Sequence, residues 1–521
     1  MLCQLVTKTC LRDNKSWKIM KTFCPLLRLL STSSSTTTIY SLSTNIKPVG
    51  SAIAVIRISG HKTFDALSYL IKNPKTVAKC VANPRTAVFA KLYDVEAQEL
   101  LDSSIVICFS RPSSYTGEDM CELHVHGSNA VIGGVLQVLS RIDGLRPSET
   151  GEFTKRALMN GKMDLIGVEA INDLIHAQTL SQRRRALSAM SGSVSQLYDN
   201  WRTDIIKLRA NIEVCIDFGE EELIDANVFV GLKTQMLQMI DSLNRHLDKC
   251  KTRSDLIKDG IRVAIIGEPN VGKSSLINRL CERDLSIVSP ISGTTRDVVE
   301  TWINLDGYSV SISDTAGIKD LDKQLDDCIE REGIVRAINR AKNSDLMLVV
   351  LDATTLVDDD NGSDSLNGQQ LFEQPIYLRQ LDNDLCNKSI YIINKIDLLS
   401  ENQYNRLRQE CSRRSKLSTN WSLISCKSSD GFDDLIAQLS QTVQHLCGNP
   451  MNETLFINER HEAHIRRAVQ QIQESIQAID NDVAVAAHHL REAAQQIAYI
   501  TGRISTEDIL DVIFRDFCIG K

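Results

Sequence analysis

The sequence predicts a multidomain fold: an α/β domain at the N-terminus, then a helical domain interrupted by an inserted parallel-sheet domain that binds phosphate. Three observations carry this. Alternating apolar residues and short β-branched runs fill residues 51–125. Apolar residues at helical spacing dominate residues 155–250 and return over 459–500. Between those helical stretches stands Gly267-Glu268-Pro269-Asn270-Val271-Gly272-Lys273-Ser274. It follows the strand-like run 263–266 and precedes Ser275-Leu276-Ile277-Asn278-Arg279-Leu280 at helical spacing, the context a G-x-x-x-x-G-K-S phosphate loop requires. At 521 residues the chain is long enough for about three domains with cores of their own.

In order, residues 1–38 read as a mitochondrial presequence. Lys8, Arg12, Lys15, Lys18, Lys21 and Arg28 stand against the single acid Asp13, and an unbroken Ser/Thr run extends from Ser31 to Thr38. Residues 39–150 form the N-terminal α/β domain, with strands over 51–59, 87–92, 104–109 and 121–125, turn chemistry over 112–117 and a helix over 130–142. Residues 151–258 are the first part of the helical domain, 259–447 the inserted domain and 448–521 the second helical part. Asp358-Asp359-Asp360-Asn361-Gly362-Ser363-Asp364 reads as a solvated loop. The net charge of −7 argues against a uniformly basic nucleic-acid-binding surface. None of the 15 cysteines forms a C-x-x-C pair, and no apolar run has the length of a membrane span. His124 and His126 lack a third ligand at workable spacing, and Arg183-Arg184-Arg185 reads as a charged helix face with nucleic-acid contact as the alternative.

The inserted domain carries a nucleotide constellation. Gly267, Asn270, Val271, Gly272 and Ser275 belong to the loop and helix start that cradle the phosphates. Lys273 would reach the β/γ-phosphates and Ser274 would ligate Mg²⁺. Thr294 and Thr295 lie in a polar loop, where Thr295 can supply a second Mg²⁺ ligand and sense the γ-phosphate. Asp314-Thr315-Ala316-Gly317 ends the strand-like run 308–313, with Asp314 placed to hold Mg²⁺ through water. Asn394-Lys395-Ile396-Asp397 ends another apolar run, and the Asp397 carboxylate accepts from guanine N1–H and the 2-amino group, which adenine cannot offer. Ser425-Cys426-Lys427 completes the base-binding set. The residue after Gly317 is Ile318, which cannot orient water as a Ras-type Gln does, so Glu330 is the candidate for that task.

With these motifs the chain resembles the MnmE/TrmE family of tRNA-modification GTPases, in its mitochondrial branch. The resemblance includes Val55-Ile56-Arg57-Ile58-Ser59-Gly60, Thr116-Gly117-Glu118-Asp119, Gly151-Glu152-Phe153-Thr154, Asn160-Gly161-Lys162-Met163-Asp164-Leu165, and the ending Phe517-Cys518-Ile519-Gly520-Lys521. It implies a folate-binding, dimerising N-terminal domain, a discontinuous helical domain and an inserted Ras-like G domain. Arg57, Glu122, Lys162 and Lys521 fall where relatives hold a tetrahydrofolate derivative (5-formyl or 5,10-methylene), and Cys518 where the tail cysteine is tied to modification. Family members use K⁺ to activate hydrolysis. Asn270 matches its side-chain ligand, and Ser289 and Ile291 its backbone ligands. Such a cation can stand in for an arginine finger, worth about 10³ to 10⁵ in rate, or roughly 4 to 7 kcal/mol. Glu330 matches the family's water-orienting acid. The resemblance further implies a homodimer working with an FAD-dependent partner of the MnmG/GidA type on C5 of the wobble uridine of mitochondrial tRNA. The chain departs from relatives at Lys47-Pro48-Val49-Gly50-Ser51, before the first predicted strand, and at Pro290 in the K⁺ loop. Two other readings stand beside this one: a ribosome-assembly GTPase, and a scaffold that binds GTP without hydrolysing it, which Ile318 motivates.

Overall fold

The structure, a computed structural model, describes residues 37–44, 50–218, 226–282, 300–314, 343–356, 389–415, 420–447 and 457–503, with residues 514, 517 and 520. The chain divides into two compact units, Met1–Asp164 with Ser505–Lys521, and Leu165–Ile504.

The first unit contains β1 (Thr38–Leu42), β2 (Ser51–Ser59), α1 (Thr63–Leu70), α2 (Pro74–Ala82), β3 (Val88–Asp94), β4 (Glu99–Phe109), β5 (Met120–Gly127), α3 (Asn129–Ser140), β6 (Leu145–Pro147) and α4 (Glu152–Met159). Its sheet has the order β3-β4-β5-β2-β1-β6. Only the β1–β6 pairing is parallel. Period-2 patterning sets the faces: Val88, Ala90 and Leu92 are buried, whereas Phe89 and Lys91 are exposed. The buried face shares a core with Ala66, Leu67 and Leu70 of α1 and Ile132, Val135, Val138 and Leu139 of α3, spaced for one helix face.

Two expectations are corrected here. The presequence was expected to run through Thr38, but Thr38 is fully buried in β1 and its Oγ1 accepts the Lys62 N–H at 2.9 Å. Gly60, at φ +137°, lets the chain pass Thr38 at a distance that no Cβ could tolerate. The helical domain was expected to start at residue 151, whereas the contacts assign α4 to the first unit. The remainder of the expected presequence, residues 1–36, lies outside the described residues, as does the acidic stretch 358–364.

Among its described residues the second unit has a helical core and, in the inserted domain, two further apolar clusters. The helical one joins α5 (Leu165–His176), α6 (Leu180–Met190), α7 (Ser193–Phe218) and α8 (Ala226–Asp259) to α12 (Glu459–Ala478) and α13 (Val483–Thr501). Tyr198, Trp201, Ile205, Leu208 and Ile212 recur every three or four residues on α7, as do Ala486, Leu490, Ala493, Ile497 and Ile500 on α13. That spacing is the seam of nearly antiparallel bundle packing. Inside it Glu169 of α5 accepts from Arg460 Nε at 2.9 Å and bonds His461 Nε2 at 2.8 Å. Arg460 also donates to the carbonyls of Tyr499 and Ile500, which close the last turn of α13.

The inserted domain contains β7 (Ile261–Gly267), α9 (Lys273–Glu282), β8 (Glu300–Leu305), β9 (Tyr308–Asp314), β10 (Leu346–Asp352), β11 (Ser389–Asn394), α10 (Glu401–Ser415), β12 (Asn420–Leu423) and α11 (Phe432–Cys447). Its sheet order is β12-β11-β10-β7-β9-β8, parallel except for β8. Strands β10 and β11 are almost continuous buried runs, as a sheet covered on both faces requires. Every nucleotide motif among the described residues sits at or just after a strand's carboxyl end, where open α/β sheets bind ligands.

Candidate functional site

The phosphate loop leaves β7 at Gly267, where a Cβ would lie 2.4 Å from the Val350 carbonyl oxygen. Asn270 and Gly272 take φ of 65° and 102°, turning the loop back toward the start of α9. Lys273, only 8% exposed, donates to the Gly267 carbonyl at 3.0 Å and the Glu268 carbonyl at 2.8 Å, spanning the loop from within. Val271 is buried beneath it, while Asn270, Ser274 and Ser275 are exposed. The positive end of α9 and the inward turn make this an anion site by construction.

The base side is tied to the phosphate side by one amide. Asn394 Nδ2 donates to the Val271 carbonyl at 2.8 Å, and Asn394 Oδ1 accepts the Cys426 N–H at 3.0 Å. Gly272 has no room for a side chain, because a Cβ there would lie 2.2 Å from Asn394 Nδ2. Asp397 is exposed, and its Oδ1 accepts the Ser425 hydroxyl at 2.6 Å. Ser425 Oγ in turn accepts the N–H groups of Lys427 and Ser428, so carboxylate and loop are set together. Lys395, at φ 68°, donates to Asp352 at 2.6 Å. Burial would raise the Asp352 carboxyl, but this ammonium together with the N–H and hydroxyl of Thr354 outweighs it and holds the group below its ordinary range. Burial pushes the Cys426 thiol up to about 11, so its side chain is neutral at the site.

The structure thus brings together Gly267, Asn270, Val271, Gly272, Lys273, Ser274, Ser275, Asn394, Lys395, Asp397, Ser425, Cys426 and Lys427. The backbone of Asp314 ends β9 beside Ile265 of β7. Ser289, Ile291, Thr294, Thr295, Thr315, Ala316, Gly317 and Glu330 lie outside the described residues. Sequence reading missed Asp352, although a carboxylate closing an apolar strand was a legible signal. It also missed the stitching role of Asn394, which motif spacing does not show.

In the first unit Arg57 and Glu122 are registered across β2 and β5 and paired, with Arg57 Nη2 2.8 Å from Glu122 Oε1. The Arg57 guanidinium lies 5.5 Å from the Tyr115 ring centre and 5.7 Å from that of Phe153. Lys162 is exposed and donates to the Pro112 carbonyl at 2.9 Å, on the loop that also carries Tyr115. Behind this pair, Arg156 joins Glu118 at 3.0 Å and Glu152 at 3.0 Å, while Ser59 donates to Glu118 at 2.8 Å. The quoted motifs around 59, 116–119 and 152–156 therefore converge on one buried ionic network. Tyr115, Phe153 and Arg156 were not singled out from sequence, because their roles depend on a contact between loop and helix. The tail returns here as well. The Gly520 carbonyl accepts the Ser43 hydroxyl at 3.0 Å, and Phe514 and Phe517 are buried against Gly151. Cys518 and Lys521 lie outside the described residues. His126 is exposed and bonds Asp102 at 2.7 Å, and His124 faces Glu122 at 3.5 Å. Arg185, the third of the arginine run, is buried against Asp173 at 2.8 Å, which removes it from any nucleic-acid surface.

Residues 38–162 match the family described as GTP-binding protein TrmE N-terminus, and residues 165–518 match that described as MnmE helical domain. A zebrafish (Danio rerio) protein named 5-taurinomethyluridine-[tRNA] synthase subunit GTPB3, mitochondrial, is 39% identical over 93% of this chain and 93% of its own. A Dictyostelium discoideum protein named tRNA modification GTPase gtpbp3, mitochondrial, is 38% identical over 93% of this chain and 95% of its own. The tRNA modification GTPase MnmE of Rickettsia bellii is 35% identical over 93% of this chain and 100% of its own.

Proposed function

The chain belongs to the MnmE/TrmE family of tRNA-modification GTPases, and from that premise we propose that it hydrolyses GTP in mitochondria to support the modification of tRNA. The observation that carries the reading is the Asn394 joint, which fixes the guanine-matching carboxylate of Asp397 relative to the phosphate loop. A separately mobile base loop would recognise guanine without placing its phosphates.

The loop N–H groups and Lys273 meet the charge that develops as water attacks the γ-phosphorus and the bond to the β–γ bridging oxygen breaks. Ser274, Thr295 and Asp314 would hold Mg²⁺, which neutralises charge on the β- and γ-phosphate oxygens. Asn270, exposed on the loop, would with the carbonyls of Ser289 and Ile291 hold K⁺, which supplies the cationic charge an arginine finger gives elsewhere. Glu330 orients the water in place of the absent Gln. In the first unit, the Arg57–Glu122 pair with Lys162 and the tail residue Lys521 offers donors and acceptors for the pterin and glutamate ends of a tetrahydrofolate derivative. Cys518 is the tail thiol assigned to the modification reaction. The chain acts as a homodimer with an FAD-dependent MnmG/GidA-type partner, and the product is a C5-substituted wobble uridine carrying a folate-derived carbon.

Turnover measured in KCl and in NaCl tests the G domain directly, and KCl is expected to raise it at least tenfold. Equal, negligible rates in both salts, with GTP bound, would leave a nucleotide-dependent scaffold instead. Glu330→Ala is expected to slow hydrolysis and spare GTP affinity. Mass spectrometry of mitochondrial tRNA from cells lacking the protein reads the modification itself, and unmodified C5 at the wobble uridine is the expected result.

A further inference from the structure

We propose that helix α6 is the element through which the nucleotide domain acts on the helical body, with Ser181 and Gln182 as its positioning residues. The proposal rests on the reading that GTP turnover drives tRNA modification.

The β8–β9 hairpin is the nucleotide domain's reach toward the helices. At one end β9 runs beside the phosphate-loop strand, with Asp314 registered on Ile265. Its turn, Asp306-Gly307, lies at the other end of a seven-residue strand, roughly 20 Å away. There the Gly307 carbonyl accepts two hydrogen bonds from one residue, the Ser181 N–H at 3.1 Å and the Ser181 hydroxyl at 2.7 Å. Ser181 is the second residue of α6 and 3% exposed, and its N–H is one that the helix itself cannot satisfy. Thr179 caps the same turn and is 4% exposed.

Gln182 adds the second tie. Its side-chain oxygen closes the capping box on the Thr179 N–H at 3.1 Å, and its amide donates to the Lys258 carbonyl at 3.0 Å, in the last turn of α8. Just beyond, a Cβ on Gly260 would fall 2.7 Å from Trp302 of β8, so the joint from α8 into β7 is pressed against the hairpin. In the second turn of α6, buried Arg185 donates to Asp173 of α5 at 2.8 Å and to the Ile457 carbonyl at 3.2 Å, where the chain re-enters the helical body. Gln444 of α11 holds the hairpin turn from its own domain through Asp306 at 2.7 Å.

An apolar contact would slide, whereas this one is directional. A displacement of about 1 Å takes both Ser181 bonds out of hydrogen-bonding range, so the hairpin moves α6 with it or the bonds break. Because Arg185 fastens α6 to both halves of the helical body, a moved α6 is felt by both.

The experiment uses the full chain with its FAD-dependent partner. It reads GTP turnover, GTP affinity, melting temperature and modified uridine formed per GTP hydrolysed. The double variant Ser181→Ala with Gln182→Ala is expected to lower the yield per GTP at least tenfold, with turnover and affinity within twofold of the parent. If the double variant melts early, Ser181→Ala alone is read in the same way. A disulfide then supplies the rescue: a Cβ at Gly307 would lie 3.5 Å from Leu180 Cβ, within the span of a disulfide. Because Gly307 at φ 90° takes a side chain only with strain, the oxidised pair Leu180→Cys with Gly307→Cys, without Ser181→Ala, is the reference that must keep the parent yield. Leu180→Cys with Gly307→Cys, added to Ser181→Ala and oxidised, should restore the yield, and dithiothreitol should abolish it again. An unchanged yield per GTP, a parallel loss of turnover and melting temperature, or a formed crosslink that restores nothing would each overturn the proposal. A parent chain without GTP turnover or tRNA modification would overturn the functional reading, and this proposal with it.

Discussion

Asn394 spends one side-chain amide on two loops, donating to Val271 and accepting from Cys426. Asn394→Ala leaves both backbone groups without that partner in a buried setting, and GTP affinity is expected to fall about 10- to 100-fold, or roughly 1.4 to 2.7 kcal/mol. Binding of a fluorescent GTP analogue measures it, and unchanged affinity would make the joint incidental. Glu169 works at the same scale in the helical core. Burial would raise its carboxyl, yet His461 and Arg460 hold it down to about 2. A carboxyl held below its ordinary 4.5 gives its full stabilisation above about pH 4.5, on the order of 3 kcal/mol, and loses it as pH falls toward 2. Burial also lowers His461, which must charge in the unfolded chain as pH falls through about 6.5, so both groups act in one direction. The melting temperature should therefore drop from about pH 7 down to about pH 2, the upper part through His461 and the part below about pH 4.5 through Glu169. In Glu169→Gln the part below about pH 4.5 should vanish. The motif residues were legible because their chemistry is local to a few positions. Glu169 was not, since nothing in the sequence places it against residues about 290 positions away.

Element boundaries were legible where the chain carries its own punctuation. Gly502, at φ 76°, ends α13 where the helical pattern stops. Within residues 155–250, where helical spacing dominates, Ser191-Gly192 separates α6 from α7, with Gly192 at φ 81°. Strand β1 was missed because its five residues continue a Ser/Thr run and show no alternation of their own. At the start of α13, Asp482 accepts the N–H groups of Ala484 and Val485. Asp482→Ala is expected to cost about 1 kcal/mol, seen as roughly fivefold faster amide exchange in that first turn. Unchanged exchange would mean that the α12–α13 contact alone holds the turn.

At the scale of the molecule, the split helical domain was legible because its two halves share one periodicity, and the return of the tail to the first unit was implied by the resemblance that sets Lys521 with Arg57, Glu122 and Lys162, though not by spacing. That return depends on Phe514 and Phe517, which are buried with Gly151 between them and α4. Phe514→Ala with Phe517→Ala should loosen the first unit by several kcal/mol, about 3 to 5 for each ring at most. Hydrogen exchange around β1 reports it, and GTP turnover should stay within twofold because the nucleotide domain belongs to the other unit. Loss of turnover in step with exchange would show that the units stand or fall together. The shared helical core has a last consequence, for the order in which the protein can be made. Helices α7 and α8 find their mates in α12 and α13, and 199 residues separate the end of α8 from the start of α12. At about 5 to 20 residues per second, a ribosome needs on the order of 10 to 40 s to deliver the second half. For that interval α8 offers Tyr198 and Trp201, among the described residues, only the ring of His246, and the side of α7 that meets α13 stays uncovered while the nucleotide domain folds first.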